Sequence, residues 1–269
     1  MPVETILLLA GTAEGHALAE RIAGDRPESR LITSLAGRTK TPRLPAGEVR
    51  IGGFGGVEAL AAFLTAERVT RLVDATHPFA AGMARNAAQA ADRTGTPRLK
   101  LLRPAWVPGP SDRWREVSCL GAARDALPPG ARPFLALGRQ HLAPFRHRSD
   151  ISPVLRMVDA PEEPLPFPAE LVLGLPGLNA ADEIALFERY GVTHLVCRNS
   201  GGAASFAKLE AARALGLPVI LIERPKPPEG PLAAGIEEVL AWLGEGLTAP
   251  PCGGDAGHGP GSDRRDGSR

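Results

Sequence analysis

The amino-acid sequence predicts an α/β protein built on parallel sheets. Short apolar runs without polar alternation recur along the chain, beginning with residues 5–10, and such runs are typical of strands buried on both faces. Segments with apolar residues at helical spacing lie between them, the first at residues 14–23. Because strands that alternate with helices are joined by right-handed crossovers, this order predicts parallel sheets.

The strand–helix alternation runs twice along the chain. The first series has predicted strands at residues 5–10, 30–34, 49–51, 71–74 and 98–102, and helices at residues 14–23, 57–64 and 80–93. The second series has predicted strands at residues 134–137, 154–158, 170–173, 194–197 and 219–222, and helices at residues 180–190, 205–215 and 236–243. We therefore expect two Rossmann-like parallel-sheet units that face a shared cleft.

The boundary between the units is predicted from composition. Prolines and short segments cluster between residues 104 and 133, so we assign residues 1–115 to an N-terminal unit and residues 116–245 to a C-terminal unit. From residue 246 the chain consists mainly of Gly, Pro, Asp, Arg and Ser. Such a segment cannot bury enough apolar surface to fold, so residues 246–269 are predicted to form a disordered tail.

The composition excludes several classes of protein. Of 269 residues, 31 are Lys or Arg and 30 are Asp or Glu, which lacks the basic excess typical of nucleic-acid-binding proteins. The longest apolar runs are too short to span a bilayer, and no signal peptide is evident. Three scattered cysteines, Cys119, Cys197 and Cys252, form neither a disulfide framework nor a metal-binding pair. We expect a cytoplasmic protein with no metal, no nucleic acid and no membrane among its partners.

The loops at the carboxyl ends of the strands are the candidate ligand sites, because open parallel sheets bind ligands there. The first loop contains Gly11, Thr12, Glu14 and Gly15. Gly11 allows a tight turn, and the N–H groups that open the next helix can bind an anion. The loop has neither a GxGxxG nor a Walker A pattern, so a plain turn capped by Thr12 is the alternative.

The second loop indicates which nucleotide the N-terminal unit would bind. An NAD-binding protein of this fold normally places Asp or Glu here, against the ribose 2′-hydroxyl. This chain has Arg38, Thr39 and Lys40 instead. A cation and a hydroxyl suit a 2′-phosphate, so the loop favours NADP, with a solvated basic loop as the alternative.

The next loops of the first unit carry glycines and an imidazole. Residues 52–56 place four glycines around Phe54, which would allow close backbone approach to a ligand or a flexible turn. The fourth strand ends in a segment that contains Asp74, Thr76, His77 and Pro78. Because this position is where a ligand is expected, His77 is a candidate to donate a hydrogen bond or a proton, and a surface histidine is the alternative.

One loop of the second unit has the composition of an anion site. Residues 198–202, Arg-Asn-Ser-Gly-Gly, follow a predicted strand and precede a helix that contains Lys208. Backbone N–H groups between two cations make a plausible anion clamp. A helix cap formed by Asn or Ser explains the same residues without a ligand.

Taken together, these loops resemble the precorrin-6A reductase family of cobalamin biosynthesis. The matching segments are, in chain order, residues 11–15, 37–39, 50–56, 74–80, 198–202 with Lys208, and 219–225. The resemblance spans residues 6–225, and the segments Asp-Ala-Thr-His-Pro-Phe-Ala at 74–80 and Asn-Ser-Gly-Gly at 199–202 are its most specific part. Arg198 stands where the family often has Lys, which keeps the charge and changes its geometry.

The resemblance implies an NADPH-dependent reductase with two Rossmann-like units. Its substrate would be precorrin-6A, a tetrapyrrole with several carboxylates, and its product precorrin-6B. Hydride would pass from the nicotinamide to one ring carbon, and a proton would be added at the neighbouring carbon. Because the cofactor carries the hydride chemistry, the protein would supply position and electrostatics. Hand-over of the product to neighbouring pathway enzymes is a further expectation.

The resemblance and the loop positions together assign roles to single residues. The residues expected to bind the cofactor are Gly11, Thr12, Glu14, Gly15, Arg38, Thr39, Thr76, Pro78, Asn199, Ser200, Gly201, Gly202 and Lys208. The residues expected to pair with substrate carboxylates are Arg50, Arg198 and Lys208. His77 is the first candidate for a catalytic proton donor, with water and the substrate as rivals. An orienting role for His77 is favoured, because an imidazole is mostly neutral at cytoplasmic pH.

Three alternative functions remain compatible with the sequence. The nearest is cobalt-precorrin-6A reductase, which performs the same step on a cobalt-containing substrate in the anaerobic pathway. A non-catalytic NADP-sensing module belongs to another class, and a nucleotide-sugar enzyme could use a similar fold. Oxidation of NADPH in the presence of a corrinoid precursor separates the reductase from these last two.

Overall fold

The computed structural model describes residues 4–37, 44–158, 160–161, 163–177, 179–203 and 205–245. Three predictions therefore lie outside the described residues: the disordered tail at 246–269, and the roles of Arg38 and Thr39. The described residues form two six-stranded parallel sheets with helices packed against them, so the predicted α/β fold is confirmed. Among the described helices, none is long and apolar enough to cross a membrane.

The first sheet is formed mainly by the N-terminal part of the chain. Its strands are β1 (Thr5–Leu9), β2 (Arg30–Leu35), β3 (Glu48–Ile51), β4 (Arg71–Asp74), β5 (Arg98–Leu101) and β12 (Leu232–Ala233). Its helices are α1 (Ala13–Asp25), α2 (Val57–Ala66), α3 (Ala81–Thr94) and α7 (Ile236–Gly244). The strand order β12-β5-β4-β1-β2-β3 changes direction between β1 and β4. A crevice for a ligand is expected at that point, beyond the carboxyl ends of the two strands.

Strand β1 lies in the middle of the first sheet, between β4 and β2, and all five of its residues are buried. Ile6 and Leu8 belong to the core cluster that also contains the apolar residues of α1 and α7. Leu7 and Leu9 belong to the cluster on the other face, with residues of α2 and α3. A strand covered by helices on both faces needs apolar residues at every position, which is why the run in the sequence is continuous.

The second sheet has the same organisation. Its strands are β6 (Trp114–Val117), β7 (Pro133–Ala136), β8 (Val154–Met157), β9 (Glu170–Leu173), β10 (His194–Arg198) and β11 (Val219–Ile222). Its helices are α4 (Leu120–Asp125), α5 (Ala180–Arg189) and α6 (Ala207–Ala214), with 3₁₀ helices at Arg139–His141 and Ala143–His147. The strand order is β6-β11-β10-β7-β8-β9, so the direction changes between β10 and β7. The loops after these two strands therefore flank the second crevice.

The C-terminal part of the described chain returns to the first sheet. Strand β12 pairs with β5, and Val239 and Leu243 of α7 pack in the same cluster as Leu18 and Ile22 of α1. The sequence analysis had assigned residues 116–245 to the second unit, and this part of the assignment is corrected. Helical periodicity shows that α7 has an apolar face but does not indicate which sheet that face covers.

The segment between β5 and β6 is fixed to the second unit by one buried amide. The Asn199 side chain accepts a hydrogen bond from the Trp106 backbone N–H at 2.8 Å and donates one to the Trp106 carbonyl at 3.0 Å. The Trp106 indole N–H donates to the Gly202 carbonyl at 2.9 Å. Arg224 adds a guanidinium bond to the Arg103 carbonyl at 2.7 Å. The linker therefore has a defined path instead of a free one.

We expect Asn199→Ala to destabilise the protein. Both Trp106 backbone groups would remain buried without a partner, at a cost of about 1–3 kcal/mol for each. Urea denaturation measures the free energy of unfolding. Ser200→Ala is the matched control, because the Ser200 hydroxyl makes one long hydrogen bond, 3.3 Å, to the Arg198 carbonyl. An Asn199→Ala protein as stable as the control would contradict this structural role.

Candidate active site

The first crevice is built from the loops that follow β1 and β4. These strands are adjacent, with Leu9 opposite Asp74. Gly11 has φ of +114°, a conformation that L side chains rarely adopt, and no atom lies within 4 Å of where a Cβ would stand. Thr12 caps α1 by accepting a hydrogen bond from the Gly15 N–H at 3.0 Å, and its hydroxyl donates to the Ala75 carbonyl at 3.2 Å. The open space thus lies beside the N–H groups of a helix N-terminus.

The loop after β4 is held by a buried ion pair. Asp74 and Lys100 are both almost fully buried, and the Lys100 ammonium donates to the Asp74 carboxylate at 2.9 Å. The second Asp74 oxygen accepts hydrogen bonds from the Thr76 N–H at 3.0 Å and the Thr76 hydroxyl at 2.6 Å. The carboxylate therefore sets the turn that presents the next residue, His77. Pro78 borders a small hollow beside Thr76 and Arg103.

His77 is oriented by the backbone that follows it. Its Nδ1 accepts a hydrogen bond from the Phe79 N–H at 3.2 Å, and the two rings lie 5.9 Å apart. A ring nitrogen that accepts a hydrogen bond does not donate one, so a hydrogen bond that the ring donates comes from Nε2.

A cavity of about 240 Å³ lies between His77 and the second unit. The ionisable side chains of its wall are His77, Arg156, Glu183, Cys197, Arg198 and Lys208. A second hollow of about 200 Å³ contains Gly11, Thr12, Glu14, Arg103 and Gly201 in its wall. His77 and Ser205 border both spaces. The first loop, His77 and the second unit therefore border adjoining spaces, which together form a cleft between the two units.

The wall of the large cavity carries more cations than anions. Glu183 is buried and accepts hydrogen bonds from Arg156 at 2.7 and 3.1 Å and from the Gly177 N–H at 2.6 Å. Arg198 donates to His141 Nε2 at 3.1 Å, and its guanidinium lies 5.0 Å from the centre of the Phe79 ring. Because one carboxylate faces three cationic side chains within the described wall, the cavity suits a ligand with carboxylates.

Lys208 and Cys197 have perturbed proton affinities in this cavity. Burial lowers the pKa of Lys208; Cys197 and Glu183 oppose this shift, and Arg156 and Arg198 add to it. The Lys208 ammonium donates to the Ser205 carbonyl and lies 4.9 Å from the centre of the Trp106 ring. Burial raises the pKa of the Cys197 thiol to about 11, which keeps it protonated at neutral pH.

The Asn-Ser-Gly-Gly loop packs against the linker as well as the cavity. A Cβ on Gly201 would stand 2.1 Å from the Pro104 carbonyl oxygen, and one on Gly202 would stand 2.8 Å from a Glu14 carboxylate oxygen. Asn199 uses both ends of its amide on the linker backbone. Contacts between the units therefore account for these residues without a cofactor. Ser200 borders the large cavity, and the cofactor-binding role of the loop stays a prediction.

Arg50 is separated from the other residues expected to bind substrate carboxylates. It belongs to β3, at the edge of the first sheet, and donates to the Gly52 and Gly53 carbonyls at 2.5 and 2.8 Å. Its guanidinium lies 3.8 Å from the centre of the Phe54 ring. Arg50 does not belong to the described wall of the cavity that contains Arg198 and Lys208. The pairing of Arg50 with a substrate carboxylate stays a prediction.

Three residues of the site were missed by the sequence analysis. Arg103 donates to the Glu14 carboxylate at 2.5 Å and to the Ser200 carbonyl at 2.8 Å, so it joins the two units at the first crevice. Arg103 directly follows a predicted strand, and that position was the available signal. Arg156 and Glu183 form the ion pair of the cavity wall. Their separation along the chain gives no sign of this contact.

Comparison with known proteins agrees with this architecture. A family model described as precorrin-6x reductase CbiJ/CobK matches residues 5–244. Precorrin-6A reductase of Rhodococcus erythropolis is 44% identical over 241 residues, which cover 89% of this chain and 97% of the relative. The solved structure of CobK precorrin-6A reductase has a TM-score of 0.85 and 42% identity, and the match covers 90% of this chain and 96% of that chain.

A more distant relative has a name that includes cobalt. Cobalt-precorrin-6A reductase of Priestia megaterium is 31% identical over 252 residues, which cover 88% of this chain and 97% of the relative. The matches at both levels of identity extend over nearly the whole length of each relative. Because the family model also spans both sheets and the returning segment, this chain belongs to the precorrin-6x reductase family CbiJ/CobK.

Proposed function

We propose that this chain reduces precorrin-6A to precorrin-6B with NADPH as the hydride donor. The observation that carries the proposal is the cavity between His77 and the cationic wall of the second unit, which adjoins the hollow at the first loop. The reacting parts of a polycarboxylate ring and of a nucleotide would meet at these adjoining spaces. The names of the relatives support the same reaction.

The first crevice fits a dinucleotide. The open position at Gly11 and the N–H groups of α1 would hold the pyrophosphate, with the Thr12 cap fixing the turn. Glu14 would repel a phosphate, but Arg103 at 2.5 Å neutralises its charge. NADPH, when bound, supplies the hydride. The preference for NADPH over NADH is based on the sequence at Arg38 and Thr39.

The second unit would hold the substrate through its carboxylates. Arg198 and Lys208 are cations of the cavity wall, and the third cation of that wall, Arg156, is paired with Glu183. Guanidinium and ammonium groups bind carboxylates with strong charge-assisted hydrogen bonds. His77, which borders both spaces, would orient the reacting groups from the first unit.

The cobalt-free substrate is favoured over its cobalt-containing counterpart. The relative named precorrin-6A reductase is 44% identical, against 31% for the one named cobalt-precorrin-6A reductase. Localisation in the cytoplasm and hand-over of the product to neighbouring pathway enzymes stay predictions from the sequence.

A direct assay tests the proposal. Purified protein is mixed with NADPH and precorrin-6A, and the loss of nicotinamide absorbance is followed together with formation of precorrin-6B by mass spectrometry. We expect NADPH to be oxidised only when the tetrapyrrole is present. Cobalt-precorrin-6A is tested as a substrate in a separate reaction under the same conditions. Binding of NADPH without turnover on either substrate would support the sensing module instead.

We expect Arg38→Glu to reduce the preference for NADPH over NADH. The variant would replace a charge-assisted hydrogen bond to the 2′-phosphate by repulsion, and such a bond contributes about 1.5–3 kcal/mol, or about ten- to hundredfold in affinity. Dissociation constants for NADPH and NADH are measured by fluorescence titration. Arg68→Glu is the control, because Arg68 is exposed and lies before the amino end of β4, away from the carboxyl ends of the strands where the ligand is expected. Unchanged preference in Arg38→Glu would assign discrimination to other residues.

We expect His77→Gln to affect binding more than the chemical step. A neutral imidazole that orients a ligand contributes about one hydrogen bond, so KM or the NADPH dissociation constant should rise by about three- to tenfold. Steady-state kinetics should leave kcat within a few-fold of the wild type. A fall in kcat of about 10²-fold or more at unchanged KM would identify His77 as a proton donor.

A further inference from the structure

The reduction needs a proton as well as a hydride, and the cavity wall contains few groups that can supply one. Among the described ionisable residues of the wall, Arg156 and Arg198 keep their protons in proteins. The oxygens of Glu183 accept hydrogen bonds from Arg156 and from the Gly177 N–H, so this carboxylate is an acceptor. Three groups remain: His77, Cys197 and Lys208.

His77 and Cys197 are poor acids in this arrangement. The Nδ1 atom of His77 accepts the Phe79 N–H, so this backbone contact takes up one of the two ring nitrogens that could carry a proton to the substrate. Cys197 is fully buried, and burial raises its pKa to about 11. Its thiolate would form in an apolar setting that disfavours charge.

We propose that Lys208 is the general acid of the reductase and gives its proton to the substrate carbon next to the one that receives the hydride. This inference rests on the proposed function and adds a residue role to it. Lys208 belongs to α6 of the second unit, whereas His77 and the first loop belong to the first unit. Proton and hydride therefore reach the substrate from different units.

The surroundings of Lys208 hold the ammonium in place and make it more acidic. The Ser205 carbonyl accepts one of its protons, and the Trp106 ring lies 4.9 Å from Nζ. Burial lowers its pKa, Arg156 and Arg198 act in the same direction, and Cys197 and Glu183 oppose them. A lysine whose pKa is lowered is a better general acid than one with the ordinary lysine pKa.

Hydride transfer and protonation together saturate one carbon–carbon double bond. NADPH gives two electrons and one hydrogen to a ring carbon of a carbon–carbon double bond, and the π electrons of that bond move to the neighbouring carbon. One N–H bond of the Lys208 ammonium breaks as the new C–H bond forms there. Lys208 is left as a neutral amine, which takes a proton from solvent before the next cycle. The sum is one NADPH and one proton consumed for each double bond reduced.

The first arm of the test measures the proton affinity of Lys208 without any reaction. The chain has four lysines, Lys40, Lys100, Lys208 and Lys226, so ¹⁵N-lysine labelling gives few Nζ signals in NMR spectra. Lys208→Met identifies the Lys208 signal by its loss. We expect Lys208 to titrate at a lower pH than a lysine in an unstructured peptide measured under the same conditions. A Lys208 signal that titrates with the peptide lysine or above it would overturn the proposal.

The second arm measures single turnovers with saturating NADPH and precorrin-6A over a range of pH. We expect Lys208→Met to slow the reduction by about 10²-fold or more, with NADPH affinity within a few-fold of wild type. Lys208→Arg keeps the charge but does not release a proton, so it should be equally slow. Lys226→Met is the control and should react as the wild type does.

The pH profile distinguishes a Lys208 that donates a proton from a Lys208 that acts only through its positive charge. The wild-type rate should fall as pH rises through the pKa of Lys208, because the amine form has no proton to give. This high-pH limb of the profile should disappear in both Lys208 variants. Recovery of the rate in Lys208→Arg, or persistence of the limb in Lys208→Met, would overturn the proposal. If wild-type protein fails to turn over either precorrin-6A or its cobalt form, the proposed function falls and the acid role falls with it. Normal turnover that both Lys208 variants retain overturns the acid role alone.

Discussion

The two hydrogen bonds between the Asn199 amide and the Trp106 backbone are the contact on which the site depends. They fix the linker against the second unit, and the linker then places Arg103 beside Glu14 of the first loop. The same Trp106 ring lies next to the Lys208 ammonium. One buried amide therefore connects the nucleotide-binding crevice, the path of the chain and the cationic cavity. It acts together with the Arg103 bonds to Ser200 and Glu14, which join the carboxyl edges of the two sheets directly.

The two sheets suit different ligand groups because the charges at their carboxyl edges differ. The first sheet offers an open backbone turn and a helix N-terminus, which suit phosphates, and the Glu14 carboxylate in this turn is neutralised by Arg103. The second sheet offers side-chain cations around a buried Arg156–Glu183 pair, which suit carboxylates. A buried ion pair contributes little net stability, so its value here is the fixed position of the wall.

The sequence predicts most of this fold because its central strands are continuous apolar runs. The strands that escaped prediction are at sheet edges: β6 has polar residues in its middle, and β12 has only two residues. His77, Arg198 and Lys208 were selected from loops and a helix that follow strands, and all three line one cavity. A glycine in the sequence can indicate that another group packs closely against the backbone, but it does not identify that group. At Gly201 the group is the Pro104 carbonyl. The separation of Arg50 follows from strand order, which periodicity does not encode.

The return of β12 and α7 to the first sheet means that the chain passes between the two units twice. The passages are fastened to each other, since Arg224 on the second donates to the carbonyls of Arg103 and Pro104 on the first. Two joined crossings restrict rotation of one unit against the other more than a single linker would. Lys208 and His77, which lie on different units, are therefore held on facing sides of the same cavity.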